Sequence, residues 1–284
     1  MKLGVITLQL APWPELVERW HRLEELGVET IWVADHLGSD KLDPQEPWFE
    51  AWSCLTALAY ETRRARIGPL VSPMTFRNPA VLARTALTMA EISGGRLELG
   101  IGSGSSAFDH RVSQVPEWSP KERAAAFTVW VERLVEMLAF DGFNPKREIP
   151  LTIAGRGKTI LTLAARYADR WNTFGGVGLS PEEAVRRGRD DNARLDELCA
   201  ETGRTVVRSA LLGYHAFVEE TPWRSDEAFT DVVGRWADAG FDELVFYYPP
   251  DTAMPEGTVS EGVFERAFSQ PGPRRWALPA DAGS

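Results

Sequence analysis

The chain has 284 residues, 44% hydrophobic and 25% charged, with a net charge of −10. That length suits a single α/β barrel, and the composition is that of a globular protein. The acidic balance argues against nucleic-acid or anionic-membrane partners, and no apolar run approaches the roughly 18–20 residues of a membrane span.

The elements alternate from the start. Leu3–Leu8 predicts a strand, Glu15–Leu26 a helix, Thr30–Ala34 a strand and Phe49–Glu61 a helix. Arg66–Val71 predicts a third strand. Asn78 and Pro79 then open a helix with Leu82, Ala86 and Met89 at helical spacing, and Ser93-Gly94-Gly95 ends it. Leu97, Leu99 and Ile101 alternate as a strand and run into a glycine-rich loop. Lys121–Ala139 predicts a helix, Leu151–Ala154 a strand, Lys158–Tyr167 a helix and Arg170–Thr173 a strand. Pro181–Thr202 is a long helix, Val206–Leu212 a strand, Asp226–Ala239 a helix and Glu243–Tyr247 a strand. A last short helix is expected near Glu261–Phe268.

Eight strands, each followed by a helix, predict a (β/α)8 barrel with short loop insertions at its C-terminal face. One domain is expected over residues 1–270, followed by a Pro/Gly/Ala-rich tail, Pro271–Ser284. The N-terminus enters LGVITLQL without a signal-peptide pattern, so a cytoplasmic protein is expected. Cys54 and Cys199 fall in predicted helices and read as core thiols.

Ligands of such barrels bind where the strands end. Four histidines with no HxH or HExxH pattern predict no catalytic metal. Lys158 is the one lysine near a strand end, at a helix start, which disfavours Schiff-base chemistry. Ala154-Gly155-Arg156-Gly157-Lys158-Thr159 joins a strand to a helix and offers backbone donors and charge to a phosphate; a plain tight turn is the other reading. Asp35-His36 ends the second strand. Adjacent strand residues point opposite ways, so at most one faces a pocket. The pair is either a structural Asp beside a surface His, or a proton donor or acceptor poised over a redox ring. Glu98 is expected inside the barrel as a structural carboxylate. Gly102, Ser103, Gly104 and Ser105 form a loop with little side-chain bulk that a flat or charged ligand can approach.

Three segments carry a family resemblance: Phe76-Arg77-Asn78-Pro79, Ile92 through Gly104 (ISGGRLELGIGSG), and Leu163 through Asp169 (LAARYAD) followed by Trp171-Asn172. In this order and spacing they resemble the bacterial-luciferase-like superfamily of flavin- and deazaflavin-dependent oxidoreductases, over about residues 3–250. The resemblance implies a (β/α)8 barrel, commonly a homodimer, that binds coenzyme F420 or FMN at the strand C-termini. The Ala34-Asp35-His36 ending is similar to that of the F420-dependent group.

Carried over, Asp35 and His36 border the deazaflavin and are the expected catalytic pair. Gly102, Ser103, Gly104 and Ser105 lie beside the ring. Ala154, Gly155, Arg156, Gly157, Lys158 and Thr159 hold the phosphate. A bulge with a non-prolyl cis peptide near Pro69–Leu70 supports the ring's back face. Trp13, Trp48 and His215 are expected in the substrate pocket. Sugar-phosphate dehydrogenases of the family place a glutamate general acid where this chain has Ser105. His36 is left as the acid–base candidate, with Asp109, His110 or His215 as substitutes.

The expected function is hydride transfer between F420 and a small organic substrate. An FMN-dependent monooxygenase is the alternative, and a non-catalytic flavin-binding protein the second.

Overall fold

Strand and helix segments alternate along the chain as β1 (Lys2–Thr7), α1 (Trp13–Glu25), β2 (Thr30–Val33), α2 (Ala51–Glu61), β3 (Arg66–Pro69), β4 (Ser72–Pro73), α3 (Pro79–Ile92) and β5 (Leu99–Gly102). They continue as α4 (Ala107–Ser113), α5 (Pro120–Ala139), β6 (Leu151–Ala154), α6 (Lys158–Tyr167), β7 (Arg170–Thr173), α7 (Pro181–Thr202), β8 (Val207–Leu212), α8 (Asp226–Asp238), β9 (Glu243–Tyr248) and α9 (Val263–Ser269). The computed structural model describes residues 1–39, 46–144 and 148–269. The expected tail Pro271–Ser284 and part of the loop Leu37–Pro47 lie outside the described residues.

All strand pairs are parallel, in the order β3-β2-β1-β9-β8-β7-β6-β5-β4. The two ends of that order, β3 and β4, are consecutive in the chain. They are halves of one barrel strand, interrupted at a non-prolyl cis peptide between Leu70 and Val71. That is one residue beyond the expected Pro69–Leu70. A bridge from Ile67 to Leu97 completes the closure. The architecture is therefore a (β/α)8 barrel.

Closure there demands glycine. A Cβ on Gly68 would lie 2.0 Å from the Glu98 carbonyl oxygen, and one on Gly100 would lie 2.1 Å from that of Pro69. The interrupted strand and β5 approach each other more closely than any side chain permits.

The pleat sorts the strands into two cores. Leu3 and Val5 face the helices, in a layer that also buries Trp20, Trp171, Trp223 and Trp236. Each such side chain contributes on the order of 1.5–3 kcal/mol. Ile6, Trp32, Ala34, Val245 and Tyr247 fill the barrel interior. At the N-terminal ends of the strands, buried Glu98 takes the guanidinium groups of Arg66 and Arg170. Arg170 Nε also lies 2.6 Å from Glu243 Oε2. Burial pushes the Glu243 carboxyl up and the Arg170 charge opposes that rise. These charges are paired far from the strand C-termini, which makes them part of the frame.

Among the described residues, no helix is long and apolar enough to cross a membrane. None of their His, Cys, Asp and Glu side chains form a group of three able to hold a metal. Cys54 and Cys199 are free and buried, and burial pushes the Cys54 thiol up to about 12, so it stays protonated.

Candidate active site

The second strand delivers two neighbours to opposite sides. Asp35 turns back from the mouth and is 1% exposed. Its Oδ2 accepts from Ser72 Oγ at 2.5 Å and Arg77 Nε at 3.1 Å, and its Oδ1 accepts from Arg77 Nη2 at 2.6 Å. Trp52 Nε1 donates to the same Ser72 hydroxyl at 3.0 Å. Asp35 therefore braces the interrupted strand and the entry to α3. These contacts are those of the structural reading of Asp35, whereas the resemblance implies a place bordering the cofactor ring and in catalysis.

His36 faces the mouth, with a side chain 48% exposed. Its Nδ1 lies 2.6 Å from Asp109 Oδ2, while Asp109 Oδ1 accepts the Leu37 backbone N–H at 2.9 Å. Asp109 is buried in α4. A carboxylate can only accept, so the bridging proton sits on Nδ1 and the exposed edge of the ring presents Nε2. Trp48 closes one flank by donating its Nε1–H to the His36 carbonyl at 2.6 Å.

Asp109 owes its place to α4, a seven-residue helix between the glycine loop and α5 for which no element is expected from the sequence. Ser106 caps it, accepting the Asp109 N–H at 3.2 Å. A serine three residues before an acid is a helix-start signal that the sequence did contain. His110 points away from His36. It sets Nδ1 3.0 Å from the Pro116 carbonyl and its ring edge-on to Trp118.

The glycine loop follows β5. A Cβ on Gly102 would meet Val71 Cγ2 at 2.6 Å, and one on Gly104, at φ +69°, would meet Thr75 Oγ1 at 1.9 Å. These glycines press the loop against the interrupted strand, so their first task is internal packing. Ser103 is half-buried and Ser105 exposed. Leu70 and Val71 belong to the apolar cluster of the barrel interior and form a ledge beneath the mouth.

The β6–α6 turn divides its charges. Arg156 donates Nε to Asp191 Oδ2 at 2.5 Å and Nη1 to the Gly175 carbonyl at 2.7 Å. Its guanidinium is held against α7 and the loop after β7, which removes it from the expected phosphate site. Ala154 ends β6, and the Gly155 N–H is spent on the Asn172 carbonyl at 3.0 Å. Gly157, at φ +93°, opens α6 with no side-chain cap, and a Cβ there would meet nothing within 4 Å. Lys158 and Thr159 follow at the open helix end, with Lys158 exposed.

Two expected pocket residues sit differently. Trp13 begins α1, is 40% exposed, and packs edge-on against Trp20 and Phe49 at 5.7 and 5.4 Å. His215 donates its backbone N–H to the Ala253 carbonyl and buries Nδ1 without a partner. Tyr214 and Tyr247 reach the mouth beside Trp48 and share the interior cluster.

A (β/α)8 barrel with a histidine–carboxylate pair, an apolar ledge and an uncapped helix at one mouth defines a barrel protein built around a strand-end ligand site. The chain belongs to the luciferase-like monooxygenase family, whose model matches residues 1–249. It is 33% identical over 185 residues to an F420-dependent glucose-6-phosphate dehydrogenase of Amycolatopsis mediterranei, covering 58% of this chain and 54% of that one. It is 30% identical over 181 residues to a 5,10-methylenetetrahydromethanopterin reductase of Archaeoglobus fulgidus, covering 60% and 52%. The chain thus spans about half the length of these curated relatives. An F420-dependent secondary alcohol dehydrogenase, solved with an F420-acetone adduct, shares the fold at a TM-score of 0.74 and 16% identity, over 95% of this chain and 99% of that one.

Proposed function

We propose that this protein is an F420-dependent oxidoreductase acting on a small organic substrate. The observation that carries the reading is the His36–Asp109 pair, set at the mouth beside the Leu70–Val71 ledge and the uncapped start of α6. The names of the relatives in the family support the choice of F420.

The residues present fit such a group. The ledge offers an apolar support for a flat ring. The open end of α6 offers backbone N–H groups and a helix dipole to a phosphate, with Lys158 adjacent. When bound, the deazaflavin supplies a two-electron hydride carrier.

The chain's own residues supply the rest. His36 Nε2 takes a proton from a substrate hydroxyl, or returns one to a carbonyl oxygen. Asp109 holds the ring orientation and balances the imidazolium charge while the proton resides there. The apolar ledge and the interior beneath it keep water from the reacting face. Ser105 carries no proton-transfer role near neutral pH, so the task falls to His36. A homodimer is part of the same reading, on the strength of the family resemblance, and so is a cytoplasmic location.

The experiment is a comparison of His36→Ala with the parent protein. The reading expects turnover to fall by about 10²–10⁴-fold, with the dissociation constant for F420 within about threefold (under ~0.7 kcal/mol). Unchanged turnover would remove His36 from the chemistry.

A further inference from the structure

The mouth has two unlike halves. One half carries His36, the glycine loop and the start of α6. The other follows β7, β8 and β9, and it is aromatic. Phe174 and Phe217 place their ring centroids 4.9 Å apart, Phe217 and Tyr214 4.7 Å, and Tyr214 and Tyr247 5.2 Å. The chain of rings runs from the barrel interior, where Tyr247 is 8% exposed, outward to half-buried Phe174. Leu211 continues the same apolar surface inward.

The charges on that half are of the wrong sign for an anion. The described loops 174–180, 213–225 and 249–262 contain no lysine and a single arginine, Arg224, against Glu219, Asp251, Glu256 and Glu261, with Glu220 buried and paired with Arg235. Arg224 belongs to a short turn whose Trp223 is packed into the outer layer against Phe229, Phe246 and Phe264. On the other half, Arg77 is held by Asp35; Arg156 reaches across to the β7 loop but is held by Asp191 and the Gly175 carbonyl. A phosphate monoester leaving water for this wall would lose its hydration and find the nearby guanidinium groups of Arg156 and Arg187 already paired with Asp191 and Glu183.

We infer that the substrate is a neutral molecule with an apolar ring or chain and one hydroxyl or carbonyl group, seated on the Phe174–Phe217–Tyr214–Tyr247 wall, and not a sugar phosphate. This rests on reading the mouth as the catalytic site. It separates the chain from relatives named for glucose 6-phosphate, although the fold and the strand-end histidine are of one kind.

The test is direct binding to the full-length protein, with and without F420, read by saturation-transfer NMR and tryptophan fluorescence. Cyclohexanone and cyclohexanol are the neutral probes, and glucose 6-phosphate is the anionic one. The expected result is saturable binding of the neutral probes at least tenfold tighter than that of glucose 6-phosphate. Phe217→Ala and Phe174→Ala each weaken the neutral probes by about five- to tenfold, consistent with loss of an aromatic contact. Both residues are half-buried, and circular dichroism checks that each variant folds.

Tighter binding of glucose 6-phosphate overturns the inference, as do folded variants that bind the neutral probes unchanged. If F420 binds and the neutral probes do not, the inference falls and the proposed function stands. If the neutral probes bind through Phe217 and F420 does not bind, the inference stands and the proposed function falls.

Discussion

His36 Nδ1 and Asp109 Oδ2 meet at 2.6 Å across 73 residues of sequence, joining the end of the second strand to a short helix after β5. The contact fixes which ring nitrogen carries the proton in the neutral imidazole. Asp109→Asn removes the charged acceptor and permits the opposite tautomer. In ¹⁵N-histidine NMR the parent is expected to show His36 protonated at Nδ1, and the variant a shift of population to Nε2. Turnover is expected to fall by roughly 10²-fold or more, with partial rescue in Asp109→Glu. An unchanged tautomer would leave Asp109 as a packing residue.

Asp35 makes a different prediction from its neighbour. Both its oxygens are engaged by Arg77 and Ser72 behind the strand, and Arg77 also reaches Glu50 at 2.7 Å. Removing one partner of a buried ion pair strands the other. Asp35→Asn is expected to cost about 3 kcal/mol of stability, read as a lower urea midpoint. A loss under about 1 kcal/mol would place the carboxylate in the ordinary surface class.

Glu24 ties the end of α1 to the turn before β3. Its carboxylate accepts the N–H groups of Arg63, Arg64 and Ala65 at 2.6–3.1 Å. Burial raises its pKa, but the backbone hydrogen bonds outweigh that and leave it lowered overall. A lowered folded pKa stabilises the protein above the unfolded value and is lost as the pH falls through the folded one. Glu24→Gln is expected to destabilise by about 1 kcal/mol at pH 7, trimmed by solvent screening. The gap from the parent should close as the pH drops below about 4.5. A gap independent of pH would show that the charge is not what matters.

The barrel was legible because its signals are local. Pro79 after Asn78 opens α3, and Ser93-Gly94-Gly95 closes it. The conspicuous run Ile92–Gly104 is mostly frame. Arg96 donates to the carbonyls of Ser93, Ala65 and Ala59, and Gly68 and Gly100 permit the close approach of two strands. The site was only partly legible because its partners are distant in sequence. Nothing near His36 points to Asp109, and seven residues are too few for helical periodicity to stand out. Arg156 next to glycines reads as a phosphate ligand until Asp191, 35 residues on, claims it. Trp13, expected in the substrate pocket, instead begins α1, whose first turn holds Pro14.

The central claim is that the mouth binds F420. The most direct measurement is a titration of the purified protein with F420 and, separately, with FMN, following cofactor fluorescence. The account predicts saturable F420 binding, weakened in Gly157→Asp, which sets a carboxylate at the open start of α6. FMN should bind at least tenfold more weakly. Tight FMN binding with no F420 binding would contradict the account and favour a flavin monooxygenase.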